Sequence, residues 1–102
     1  MLQETSEKPL HAKAYYGLAR IAALQKDPET SEKLFLKLLD SSPEPQVKAW
    51  ALVYLGRLAD LAGERETAGR RYQAALEVQG ASPAALKAAQ QGLQESFKKD
   101  KE

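Results

Sequence analysis

Apolar residues return along this chain at intervals of three and four. Between Leu10 and Gln25 they fall at Leu10, Ala14, Leu18, Ile21, Ala22 and Leu24, the spacing of a helix. Lys26-Asp27-Pro28-Glu29 breaks the pattern. There Asp27 suits an N-cap, Pro28 the first helical position, and Glu29 the positive end of a helix dipole. Leu34, Phe35, Leu38 and Leu39 carry the next stripe, and Ser41-Ser42-Pro43-Glu44-Pro45 stops it. The stretch from Gln46 to Ala62 is the most apolar. Val47, Trp50, Leu52, Val53, Leu55, Leu58 and Leu61 stand on all its sides, which predicts a helix with neighbours on more than one side. Gly63 suits a left-handed stop. Ala68, Tyr72, Ala75 and Leu76 form a fourth stripe. Ser82 and Pro83 open a fifth, with Leu86, Ala89, Leu93 and Phe97.

The pattern therefore predicts five helices, at about 10–26, 29–41, 46–62, 65–79 and 83–98. A polar segment, 1–9, precedes them and a charged tail, 98–102, follows. Connections this short force antiparallel neighbours, so the expected layout is hairpin, hairpin, extra helix.

Composition sharpens the fold class. Of 102 residues, 43% are apolar, and Ala and Leu make up most of these. Both lose little freedom in a helix, whereas the β-branched residues that strands favour are nearly absent. The expectation is all-α. The charges balance, 15 basic against 14 acidic, so nothing drives strong phosphate binding and nucleic acid is not expected as a partner. No apolar run approaches the length of a membrane helix, and Met1 to Lys8 lacks the apolar core of a signal peptide. Membrane insertion is thus not expected. The compartment stays open, with cytoplasmic as the default. Without cysteine there are no disulfides, thiolate metal sites or cysteine nucleophiles.

The chain also repeats itself. A slide of 37 residues brings Leu18-Ala19 onto Leu55-Gly56, Ala22 onto Ala59, Lys26-Asp27 onto Gly63-Glu64, Ser31 onto Ala68, Phe35 onto Tyr72, and Leu38-Leu39 onto Ala75-Leu76. A slide of 34 brings Leu52, Leu55, Gly56 and Ala59 onto Leu86, Ala89, Gln90 and Leu93. Small residues recur where helices approach closely and large ones where a gap is filled.

These positions resemble the tetratricopeptide repeat (TPR) family. Leu52, Leu55, Gly56 and Ala59 stand at its first-helix positions, Gly63 at the turn, and Ala68, Tyr72, Ala75 and Leu76 at its second-helix positions. Tyr15, Leu18, Ala19, Ala22, Ser31, Phe35, Leu38 and Pro43 match in an earlier unit. The resemblance implies a helix-hairpin solenoid over residues 10–97: unit one at about 12–45, unit two at 49–82, and a capping helix at 83–97. Three extra residues between Ser42 and Lys48, Trp50 two places early, and Gly80 in place of the usual proline depart from the pattern. The run from Trp50 to Arg57 looks like terminal TPR segments of larger bacterial proteins, which implies a part of a longer chain.

Candidate chemistry is sparse. His11 is the only histidine, and no nucleophile stands at helical spacing from it, so no triad is in view. Carboxylates are scattered, and the glycines do not form a phosphate loop. The expectation is a non-enzyme with no cofactor and no metal. Binding is the live function. The TPR resemblance implies an inner wall built from the first helix of each pair: Lys13, Tyr16 and Arg20 in unit one, Trp50, Val53, Tyr54, Arg57 and Asp60 in unit two, Lys87 and Gln91 on the cap. Aromatic plus basic suits an acidic peptide or a partner's helix. Trp50 either faces that ligand or is buried against the preceding hairpin, and Arg57 and Asp60 stand one turn apart and could pair. The alternative is self-association, or an assembly scaffold without a peptide ligand, through an exposed repeat end as a homodimer.

Overall fold

The computed structural model describes residues 4–41 and 43–95. Among them five α-helices follow in order: α1 (Glu4–Leu24), α2 (Pro28–Leu39), α3 (Pro45–Leu61), α4 (Arg65–Leu76) and α5 (Pro83–Gln94). The class is all-α, as the Ala and Leu content requires.

Caps set most of the boundaries. The Asp27 carboxylate accepts from the Thr30 amide at 3.3 Å, and the Ser82 hydroxyl accepts from the Ala85 amide at 3.2 Å. Pro28, Pro45 and Pro83 each occupy the first helical position, where a missing N–H costs nothing. Three boundaries differ from expectation by three residues or more. Helix α1 begins at Glu4, inside the segment expected to precede it, and runs through Pro9. Proline's fixed φ is itself helical, and only one bond to the preceding turn is lost. Helix α4 stops at Leu76 rather than near 79, because its end tightens into i−3 bonds, Glu77 to Ala74 (3.1 Å) and Val78 to Ala75 (3.2 Å). Helix α5 stops at Gln94 rather than near 98, because the backbone turns extended at Glu95 (φ −146°, ψ 123°); Phe97 and the tail 98–102 lie outside the described residues.

The 37-residue repeat is visible in the backbone. Asp27 N–H donates to the Ala22 carbonyl at 2.9 Å, and Glu64 N–H to that of Ala59 at 2.8 Å. Lys26 (φ 63°) and Gly63 (φ 81°) both take the left-handed conformation that closes such an end. Burial repeats too. Ala12 and Ala49, Ala19 and Gly56, Ala22 and Ala59, Ser31 and Ala68, Phe35 and Tyr72, Leu38 and Ala75 are all buried. The small-residue role that the slide of 34 gave to Gln90 belongs to Gly92: Gln90 is exposed and Gly92 is buried.

Helix α1 packs on α2 and α3, α3 on α2, α4 and α5, and α4 on α5. Helix α3 is therefore the centre, and its apolar residues divide between two clusters. Ala51 and Leu55 join Ala12, Ala19, Phe35 and Leu38. Leu52, Val53 and Ala59 join Ala68, Tyr72, Ala75 and Ala89. This accounts for the all-round apolarity of its sequence. Leu18 does not behave like its counterpart Leu55: they are 53% and 3% exposed. Helix α2 covers Leu55, and no described element lies correspondingly against Leu18. No helix of the described residues is long and apolar enough to cross a membrane.

Candidate functional site

The first helix of each hairpin brings an aromatic and an arginine to the same region. Tyr16 and Arg20 are one turn apart on α1; Tyr54 and Arg57 are one turn apart on α3. Arg20 and Arg57 are separated by the repeat interval. Each guanidinium carbon lies 5.7 Å from a ring centroid, Arg20 over Tyr16 and Arg57 over Tyr54, within the range of cation–π attraction.

The rings are held from beneath. Phe35 of α2, fully buried, stacks on Tyr54 at 5.3 Å and 8°, and meets Tyr16 edge-on at 6.1 Å. Tyr16 and Tyr54 are also edge-on at 6.1 Å. Trp50 completes the group, 6.2 Å from Tyr54. Three helices therefore fix one aromatic platform, with Tyr16, Trp50 and Tyr54 half-buried at its surface. Burial is the first cause that pushes the Tyr16 hydroxyl above its ordinary value, with Tyr54 beside it adding; Arg20 opposes.

Of the ten residues expected on the wall, five meet here: Tyr16, Arg20, Trp50, Tyr54 and Arg57; Lys13 is exposed on α1. Lys87 and Gln91 are exposed on α5, outside the aromatic group. Trp50 is intermediate between its two readings, half-buried, in contact with the second cluster and with Tyr54.

Two expectations need correction. Val53 is fully buried in the second cluster, because α4 and α5 cover that side of α3, so it lines no groove. Asp60 is an internal support. Its side chain is only 1% exposed and accepts from Arg65 at 3.0 and 3.1 Å and from the Tyr72 hydroxyl at 2.9 Å. Arg65 also donates to the carbonyls of Gly92 (2.8 Å) and Leu93 (2.9 Å), at the end of α5. Burial, then the hydrogen bond to the Asp60 carboxylate, hold the Tyr72 hydroxyl well above its ordinary value. The sequence reading missed this Arg65–Asp60–Tyr72 network. Arg65 and Tyr72 stand two turns apart on α4, but Asp60 lies on α3 and the Gly92 and Leu93 carbonyls on α5, so the network depends on how the three helices pack.

Among the described residues no group of three or more His, Cys, Asp and Glu is placed to hold a metal ion. Comparison with known proteins finds no matching family model, no matching curated protein and no matching solved structure.

Proposed function

We propose that this chain is a TPR-like protein-interaction module: two stacked helical hairpins and a capping helix that bind an acidic peptide or acidic partner helix on the face of α1 and α3. The observation that carries the reading is the pair of guanidinium groups, one repeat apart, each over a tyrosine ring. The exposed Arg20 guanidinium, over the Tyr16 ring, suits a two-pronged grip on a carboxylate. The surrounding aromatics offer rigid apolar area to the rest of a ligand at small entropic cost. The recurring turn bonds and the contacts of α3 with both α1 and α5 support stacked repeat units.

The test is fluorescence anisotropy with labelled peptides of equal length, one Glu-rich, one Lys-rich, one neutral. The acidic peptide should bind, perturb Trp50 emission and weaken as salt is raised. Arg20→Glu should reduce its affinity about tenfold or more, equivalent to ~1.4 kcal/mol. Equal affinity for all three peptides, or no effect of Arg20→Glu, would overturn the reading.

A further inference from the structure

The two helices that carry the aromatic platform are cationic over most of their length. From Pro9 to Leu24 of α1, and from Pro45 to Ala59 of α3, the sequence has no Asp or Glu. The carboxylate that follows on α3, Asp60, is turned inward to Arg65 and Tyr72. The chain as a whole is balanced, 15 basic against 14 acidic. Glu29, Glu32 and Glu66 stand instead on the second helix of each hairpin, α2 and α4. The positive charge of this face is thus a local segregation, which draws and orients an acidic partner.

The charges also have an interval. Lys13 and Arg20 are seven residues apart on α1, and Trp50 and Arg57 hold the corresponding positions of α3. Seven residues are close to two turns, so each pair shares a line along its helix, its members about 10.5 Å apart. Lys13 and Arg20 are exposed, and Trp50 is half-buried.

We infer that the partner of this face is an α-helix with two carboxylates seven residues apart, one for Arg20 and one for Lys13, and an apolar side chain midway for Trp50 and Tyr54. The inference rests on the reading that this face binds an acidic partner and narrows that partner to a helix. Two observations select a helix over an extended strand. First, a helix repeats a side chain on one line at the interval of Lys13 and Arg20, whereas same-side residues of a strand stand about 6.6 or about 13 Å apart. Arg20, seated over the Tyr16 ring, fixes one end of that interval. Second, the valley between α1 and α3 already seats a helix on its inner side. Helix α2 packs on both, and its Phe35 reaches both Tyr16 and Tyr54. The same two helices bound the outer side, where a second helix can lie in the groove.

Fluorescence anisotropy with three labelled alanine-based peptides, each with two glutamates and one leucine, tests this. In the first the glutamates are seven residues apart. In the second they are five apart, on different faces of a helix. The third keeps the first spacing but has a central proline, which breaks the helix. The first should bind about fivefold tighter than either of the others, the scale of one exposed ion pair, and gain helicity on binding. Lys13→Glu, which alters an exposed side chain, should leave the melting temperature unchanged, remove that advantage, and have it restored when one peptide glutamate becomes lysine. Lys33→Glu, equally exposed on α2, should leave the preference intact. Equal binding of all three peptides, or no effect of Lys13→Glu, would overturn the helical partner while leaving an acidic one standing. Binding of none would overturn both readings. Self-association of the chain that Lys13→Glu abolishes would put a second copy on this face and overturn the inference as well.

Discussion

The ring of Tyr72 passes between two helices at points where neither has a β-carbon. A Cβ at Gly56 of α3 would meet the ring at 2.6 Å, and one at Gly92 of α5 would also collide with it. Gly92→Ala should therefore destabilise by about 1–3 kcal/mol, as an overfilled core does. Gly69→Ala, where the added carbon meets nothing within 4 Å, should be stabilising by about 0.5–1 kcal/mol from helix propensity. Urea denaturation distinguishes the two. The Tyr72 hydroxyl is pushed up from its ordinary value by burial and by Asp60, and that of Tyr16 by burial and Tyr54. A raised folded value means ionisation is easier after unfolding. The stability these groups lend is thus whole below about pH 10 and drains away as pH rises above it. Urea midpoints followed from about pH 8 to about pH 11 should show that decline, and Tyr72→Phe should flatten it. A third test uses the matched turns. Lys26 adopts φ 63° where its counterpart is Gly63, so Lys26→Gly should raise the melting temperature through about 1 kcal/mol of relieved strain.

At the scale of the element, α5 is tied to the second hairpin by more than its apolar face. Arg65 bridges the buried Asp60 carboxylate and two carbonyls at the last turn of α5. That turn has orphan carbonyls of its own, and a guanidinium there both pairs them and suits the negative end of the helix. Arg65→Ala should leave the Asp60 carboxylate with fewer donors and cost about 1–3 kcal/mol. Because the bond is local, amide hydrogen exchange should speed up first in α5, while α1 and α2 keep their protection. Uniform acceleration across all five helices would refute a local tie.

For the molecule as a whole, α3 decides the arrangement. Its two apolar sides each complete a different cluster, so the two hairpins share one helix rather than one central core. This leaves α1 and α3 side by side, with Arg20 and Arg57 above a single aromatic platform, and it leaves Leu18 of α1 exposed. Elements were readily legible in the sequence, because helix periodicity, proline and glycine signals are local. Tyr16, Arg20, Trp50, Tyr54 and Arg57 were legible as a group only through the resemblance to the TPR pattern; of them only Arg20 and Arg57 are equivalent across the 37-residue interval. Val53 and Asp60 were not, because their burial depends on α4 and α5 closing over α3.

The sequence by itself determined the helical class, the turns with their caps, and the recurrence of small and large residues every 37 positions. The class and the turns follow from interactions within a few residues along the chain, and the recurrence is read directly by sliding the chain along itself. Only the tertiary structure decided that Asp60 is a buried support, that Gly92 rather than Gln90 admits the Tyr72 ring, and that Leu18 meets water while Leu55 does not. Those outcomes turn on which helix lies against which, and burial is a property of the neighbour as much as of the residue.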